Sequence, residues 1–464
     1  MKQPKNCLDN VNYMPYWLDN PDKPTANPPL ETDIVTDLLI VGGGFTGLWA
    51  ALLAKEDNPH RNVTLIEAKE VANGASGRPG GIMSSSVMHG LSNAAHYYPD
   101  ELEILEQLGH ENIKAFRTAL EKYNIDCDAE WTGEMTVSVG KDGLDTLDHE
   151  AELHDQFDKK VEQLDKQDIR EEINSPLFYG GLWQKQNCGV VNPAKLVWGL
   201  KKTVLDLGVI LYENTPLLKV KHSKKAVTVL TPKGRIAARR VLLATNAFAA
   251  GHNHIRHRVA AIRDRILATN PLTDEQMERI NWQNRQGIYD TRTQLNYMRL
   301  TRNNRIIFGG RLGYYFNDET DPNGDKKPEP YYRLAEAFYR TFPDLTDVTF
   351  SHAWSGPIGL TTRKAVHFQR YLDGRMIYAG GYSGFGVTAS RFGARIALGL
   401  LDDKVMMERD LEFVKTLPGY LPSEPFRWIG AKITMYALDT MDEKGGWRIP
   451  WIKMVEKMGF PLTL

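Results

Sequence analysis

The segment Thr36-Asp-Leu-Leu-Ile-Val41-Gly42-Gly43-Gly44-Phe45-Thr46-Gly47 runs from an apolar stretch of strand length straight into a G-x-G-x-x-G turn, and Leu48 to Lys55 continue as a helix. Strand, turn and helix in that order are the context in which this glycine spacing binds a dinucleotide. Gly42 permits the tight turn, Gly44 lets a pyrophosphate approach the backbone, and Gly47 lets helix and strand pack closely. The helix start at Phe45 and Thr46 offers backbone N–H groups to phosphate. The next strand, Val63 to Ile66, ends at Glu67 and Ala68, with Glu67 placed 20 residues after Gly47. A carboxylate there accepts from ribose hydroxyls and disfavours a 2'-phosphate. FAD and NAD share this fingerprint, so the spacing leaves both open. The fold class is α/β, with a Rossmann-type parallel sheet.

The 464 residues suit two or three compact units. Hydrophobic residues are 42% and charged residues 25% of the chain, the balance of a globular enzyme and not of a disordered one. Lys plus Arg number 57 against 58 Asp plus Glu, a net charge of -1 that gives no argument for nucleic acid or anionic lipid. Cys7, Cys127 and Cys188 lie far apart, which excludes a disulfide framework, a CxxC redox pair and zinc spacing. The 12 histidines show no ligand spacing either, His252-Asn-His254 reads as a loop, and no metal is expected. Neither MKQPKNCLDN nor PLTL at the ends carries a secretory, retention or peroxisomal signal. The longest uncharged run, Leu38 to Ala54, holds four Gly in 17 residues and belongs to the fingerprint, so no membrane span is read. A cytoplasmic protein is the expectation.

Outward from the fingerprint, residues 1–35 form a Pro- and Asn-rich arm pinned by Tyr13, Tyr16 and Trp17. Glu101 to Tyr123 and Gly143 to Ile173 read as surface helices. Four β-rich runs between Val209 and Ala244 read as a small meander, with a Pro232-Lys-Gly234 turn before the last. Residues 259–316 favour a second, mostly antiparallel sheet. Helix is expected over Tyr331 to Thr341 and Val387 to Leu401, and strand at Val348 to Ala353 and Met376 to Ala379. The division that follows assigns 36–100, 190–258 and 345–415 to the dinucleotide-binding domain and 101–189 and 259–344 to a substrate domain. A C-terminal extension, 416–464, carries Trp428, Trp447 and Trp451 and packs back on the body or meets a partner subunit.

Further segments, in order, resemble the FAD-dependent D-amino-acid oxidase family, the group that includes glycine, sarcosine and gamma-glutamylputrescine oxidases. Gly74-Ala75-Ser76-Gly77-Arg78-Pro79-Gly80-Gly81 is similar to the family's loop beside the pyrophosphate and flavin ring, with Pro79 where Asn is more usual. Asn192-Pro193 resembles a helix entry with an Asn cap. Val241-Leu-Leu-Ala-Thr245-Asn246 is similar to the strand ending beside the cofactor, and Leu217 to the residue whose backbone meets adenine. Tyr378-Ala-Gly380-Gly381-Tyr382-Ser383-Gly384-Phe385-Gly386-Val387-Thr388 resembles the element under the flavin pyrimidine, where a helix start stabilises anionic reduced flavin by ~0.3 to 2 kcal/mol. Trp354-Ser-Gly356-Pro357 also resembles the family, whereas Thr361-Thr-Arg-Lys364 departs from its TxD pattern.

The resemblance implies FAD, and hydride transfer from the carbon beside a primary or secondary amine to flavin N5, giving an imine that hydrolyses. Oxygen is the implied electron acceptor. By resemblance Tyr297 faces the flavin, with Arg311 and Tyr382 as further candidates for substrate contact. Arg263, Arg265, Arg292, Arg299 and Arg302 compete with Arg311, and a solvated surface charge is the ordinary role for each. No Cys follows Cys188 and Arg305 to Gly310 holds no Lys, so FAD is expected to be non-covalent and oxygen reactivity stays open. A flavoprotein dehydrogenase subunit that passes electrons to a partner, and an NAD-dependent dehydrogenase, are the alternatives.

Overall fold

The computed structural model describes residues 6–460 except 158–159, 224–225, 252–254, 256, 293 and 322–324; the side chains of Asp442 and Glu443 are also left out. The reading of His252 and His254 lies outside the described residues.

The apolar run before the glycine turn forms the centre of the first sheet. Its strands lie in the order β17 (His367–Tyr371), β18 (Met376–Gly380), β11 (Arg235–Leu243), β1 (Ile34–Val41), β2 (Val63–Ile66) and β8 (Ile210–Tyr212), with β10 (Val227–Leu230) on β11 and β9 (Lys219–His222) on β10. β1 pairs parallel with both β2 and β11. Alternate residues of β1 enter different cores: Leu38 and Ile40 pack with the helices, Leu39 and Val41 with the meander strands. Both faces are therefore buried, which is why the run is continuously apolar rather than alternating. α1 (Phe45–Asp57), α6 (Pro193–Asp206) and α9 (Gly386–Leu401) cover the helical face, and α3 (Leu102–Lys122) packs on α9. As the sequence predicts, Asn192 caps α6 by accepting from the Lys195 N–H.

The second sheet runs β16 (Phe350–Leu360), β12 (Ala260–Thr269), β15 (Ile306–Tyr314), β14 (Tyr297–Leu300), β13 (Gly287–Asp290), β4 (Glu134–Val139), β6 (Phe178–Gln184) and β5 (Glu162–Leu164). Every pairing is antiparallel except β13 with β4. α8 (Glu329–Thr341) covers this sheet, with Leu334 and Phe338 in its core, while α5 (Asp168–Glu172) and α7 (Asp274–Ile280) flank it. β3 (Ile82–Met83) and β7 (Gly189–Val190) form a short separate pair. α2 (Leu91–Tyr97) and α4 (Leu144–Gln156) pack on each other beside β4 and β6, and α10 (Glu412–Lys415) meets β17.

Three sequence expectations are revised. β16 pairs with β12, so residues 350–360 belong to the second sheet and not to the 345–415 part of the dinucleotide-binding segment. Gly143 to Ile173 is not continuously helical: α4 ends at Gln156, and Glu162–Leu164 is the edge strand β5. Of the four runs read as a meander, β8 instead extends the parallel sheet beside β2. The C-terminal extension folds as α11 (Phe426–Lys444) and α12 (Arg448–Lys457), and α11 lies on β15. No helix among the described residues is long and apolar enough to cross a membrane.

Candidate active site

A cavity of about 990 Å³ is walled by both sheets, and the glycine turn opens into it. Gly42 sits at φ +115°, and a Cβ there would meet the Ala244 carbonyl oxygen at 2.7 Å. At Gly44 a Cβ would meet Ser76 Oγ at 2.8 Å. The α1 N-cap is Gly44 and the α9 N-cap is Phe385, and neither supplies a side-chain cap. Both helix starts line the same cavity. Their backbone donors call for an anionic acceptor, and the diphosphate and pyrimidine oxygens of a flavin dinucleotide supply one at each end. The Phe45 N–H donates to Ser76 Oγ at 2.9 Å, and the remaining donors of the two helix starts, with the glycine-walled cleft, fit FAD. Glu67 lines the wall, its carboxylate accepting from the Gly43 N–H at 2.7 Å and the Lys69 N–H at 3.0 Å. Burial raises that carboxyl, and these two hydrogen bonds oppose the rise.

The loop from Gly74 to Gly81 is held from outside. Trp17 Nε1 donates to the Pro79 carbonyl at 2.8 Å and Trp354 Nε1 to the Arg78 carbonyl at 2.9 Å. The buried Arg78 guanidinium donates to the carbonyls of Asn73 and Ser355, and burial, with Arg263 nearby, lowers it to about 10. The Trp17 contact uses the Pro79 carbonyl, so proline at 79 leaves that anchor intact. Asn246 Oδ1 accepts from the Gly381 N–H at 2.9 Å, tying the end of β11 to the late glycine turn.

Beyond the glycine loop the cavity becomes an aromatic chamber. Tyr297 packs against Gly80, where a Cβ would approach its ring at 2.6 Å, and its hydroxyl donates to Asp264 Oδ2 at 2.5 Å. Asp264 stands at a bulge in β12, a device that re-aims a side chain. Burial pushes its carboxyl up to about 6, opposed by the Tyr297 hydrogen bond. His89 meets Phe385 at a tilt with ring centroids 3.9 Å apart, and Phe385 stacks on Tyr289 at 5.9 Å. Burial, and then Lys364, lower His89 to about 3, so it is neutral at pH 7. Lys364 and Glu134 also line the cavity; burial brings the first down to about 8 and the second up to about 7.

Most of the residues that the sequence singles out meet here. Gly42, Gly44, Phe45, Thr46, Glu67, Ala68, Gly74, Ala75, Ser76, Arg78, Gly80, Gly81, Leu217, Thr245, Asn246, Gly356, Gly384, Phe385, Gly386 and Val387 all line the cavity, as do Tyr297, Arg311 and Tyr382. Gly47, Gly381 and Thr388 do not: Gly47 faces Gly42 in the helix–strand contact, Gly381 holds Asn246, and Thr388 donates to the Ser84 carbonyl at 2.6 Å. The Tyr382 hydroxyl accepts from Thr46 Oγ1 at 2.9 Å, beside the fingerprint helix rather than in the aromatic chamber. Arg311 is ion-paired to Asp439 of α11 at 2.6 Å. Of the five competing arginines only Arg292 lines the cavity, closed onto Asp290, while Arg263, Arg265 and Arg299 are buried and internally bonded instead of solvated. Sequence reasoning missed His89, Glu134, Glu150, Asp264, Tyr289 and Lys364; only Lys364 left a trace, as the departure from TxD.

Residues 37–399 match the family model described as DAO, FAD dependent oxidoreductase. The chain belongs to that family. The FAD-dependent oxidoreductase is 30% identical over 390 residues to a probable oxidoreductase OrdL of Haemophilus influenzae, covering 82% of this chain and 86% of that one. It is 29% identical over 391 residues to the gamma-glutamylputrescine oxidoreductase of Escherichia coli, covering 83% and 88%. Its fold is similar to the crystal structure of glycine oxidase from Geobacillus kaustophilus, with a TM-score of 0.69 at 17% identity, covering 82% and 99%. Of the two dinucleotides the fingerprint leaves open, the family takes FAD, and the NAD alternative falls away.

Proposed function

We propose that this oxidoreductase oxidises a primary or secondary amine and that oxygen re-oxidises its non-covalent FAD. The observation that carries this reading is the single cavity, in which the dinucleotide cleft opens directly onto an aromatic chamber containing buried carboxyls. The names of the E. coli relative and of the glycine oxidase with the shared fold support it.

When bound, FAD accepts two electrons, as hydride, from the carbon next to nitrogen. The Gly42–Thr46 and Gly384–Val387 segments would hold its two ends, with the Gly74–Gly81 loop along the ring. Tyr289, Phe385 and neutral His89 exclude water from the chamber, and an ammonium entering it loses hydration, which favours the neutral amine that can give up hydride. Asp264 fixes the Tyr297 phenol against Gly80, so that the ring has one orientation at the loop. The amine then leaves as an imine, having lost hydride and one N–H proton, and water converts the imine to a carbonyl compound and the free amine or ammonia.

Anaerobic addition of amines to the FAD-loaded protein tests this: the flavin absorbance is expected to bleach without any partner. A panel of primary and secondary amines and D-amino acids that leaves the spectrum unchanged refutes it. A dehydrogenase that passes electrons to a partner protein is the second reading, favoured by exposed Phe426 (73%) and Met458 (63%) on the C-terminal extension. Amine-dependent oxygen consumption by the isolated protein separates the two.

A further inference from the structure

One wall of the cavity comes from outside both sheets. Leu438 of α11 lines the cavity, is 8% exposed and clusters with Ile452 of α12. Gln294, on the loop before β14, donates from Nε2 to the Met435 carbonyl at 3.4 Å, and Arg311 on β15 pairs with Asp439 at 2.6 Å, so two cavity residues hold positions one turn apart on α11. Ile262, Ile358 and Leu360, also on the cavity wall, share an apolar cluster with Leu421 and Met435. Arg311 stands two residues past Gly309, whose missing side chain leaves room for the Tyr297 ring. The extension therefore meets the cavity at its aromatic end. Both of its helices lie beyond residues 37–399, the part that matches the family.

The extension also sets the charge of that wall. Among the described residues, five Lys and Arg side chains line the cavity. Lys69 is exposed beside Glu67 at the fingerprint end, Arg78 is bonded to backbone carbonyls under the Gly74–Gly81 loop, and Arg292 is closed onto Asp290. Arg311 and Lys364 each face an acid of the extension. Asp439 takes Arg311 on one oxygen and has Arg333 at 3.6 Å from the other, and Glu456 of α12 is the opposing charge of Lys364. A carboxylate on the carbon next to an amine is best held by a cation with open donors, as a forked guanidinium offers. To hold one here the chamber would have to break an existing ion pair and leave an acid of the extension without its partner. We propose that the C-terminal extension is a charge filter: Asp439 and Glu456 occupy Arg311 and Lys364, exclude α-amino acids, and leave the chamber to amines with no carboxylate on the reacting carbon. The proposal rests on the amine reading above.

Ethylamine and glycine differ only in a methyl against a carboxylate, and so do N-methylethylamine and N-methylglycine. Calorimetric binding to the FAD-loaded protein is expected to favour the amine of each pair at least tenfold, on the order of one hydrogen bond to a charged group. Asp439→Asn frees Arg311 and is expected to move that ratio toward the amino acid by roughly tenfold to a hundredfold, and Glu456→Gln to move it the same way. Asp439→Glu keeps the charge and should keep the wild-type ratio. A merely loosened extension would alter both members of a pair together and leave their ratio in place, and FAD content confirms that each variant folds. Wild-type binding of the amino acid as tightly as the amine, a ratio that neither Asp439→Asn nor Glu456→Gln moves, or binding of none of the four compounds overturns the filter. The expected shift without anaerobic flavin bleaching upholds the filter and refutes amine oxidation. Equal binding with bleaching by amine and amino acid alike does the reverse.

Discussion

Replacing Tyr297 by Phe removes one hydrogen bond from a buried carboxyl and leaves the ring in place. Asp264 sits at about 6 because burial raises it while the Tyr297 hydroxyl, 2.5 Å away, and neighbouring N–H groups hold it down. A hydrogen bond to a charged group contributes about 1.5 to 3 kcal/mol, and about 1.36 kcal/mol corresponds to one pH unit, so Tyr297→Phe is expected to raise the carboxyl to roughly 7 to 8. At pH 7 the wild-type group is about nine-tenths ionised and the variant half ionised or less. Infrared difference titration of the carboxyl band, with Asp264→Asn to identify it, reads this directly. Stability follows with a definite sign. Asp264 titrates higher folded than unfolded, so its contribution is fully present below about pH 4 and is lost as pH rises through the folded value. The substitution should therefore cost little from this source near pH 4 and about 1.5 to 3 kcal/mol more at pH 9, measured by urea unfolding. A carboxyl that titrates at the same pH or lower in Tyr297→Phe would refute the reasoning, because the phenol would then not be donating to it.

Lys201→Met strands Glu213, whose side chain is 1% exposed beside a lysine nitrogen at 2.6 Å, and is expected to cost about 3 to 5 kcal/mol in urea unfolding, with Glu213→Gln added on top recovering part of it. Gly42→Ala meets both the positive φ and the Ala244 carbonyl, so the purified protein should carry markedly less FAD per chain by absorbance than the wild type. Arg311→Ala releases α11 from β15 at Asp439, and limited proteolysis should remove the C-terminal extension roughly fivefold faster.

The first sheet was legible because its signals are local: an apolar run, glycines at fixed spacing and a carboxylate at the end of the next strand all lie within Thr36 to Glu67. The Asn192 cap and the Pro232-Lys-Gly234 turn were legible for the same reason. Strand partnership was not, since nothing in Phe350–Leu360 states that its neighbour is β12, almost a hundred residues earlier. β5 was missed because an edge strand with exposed Glu162 and Gln163 lacks the alternation that marks a half-buried one. The chamber was the least legible part. His89, Glu134, Asp264, Tyr289 and Lys364 come from separate elements, and each is an ordinary residue until the two sheets bring them together. Arg311 and Tyr382, read from the sequence as candidates for substrate contact, line the cavity, and their polar atoms are engaged by Asp439 and Thr46, partners invisible to any local pattern.

The N-terminal arm touches everything that would have to separate if the molecule opened like a book. Asn12 bridges to His352 at the margin of the second sheet, Trp17 grips Pro79 in the Gly74–Gly81 loop, and Asn27 donates to Glu213 behind the first sheet. A strap fastened at three such points resists hinging of one half against the other. Substrate traffic is then left to smaller local movements at the rim, and trimming the arm would loosen the grip on the Gly74–Gly81 loop before it touched any residue of the chamber.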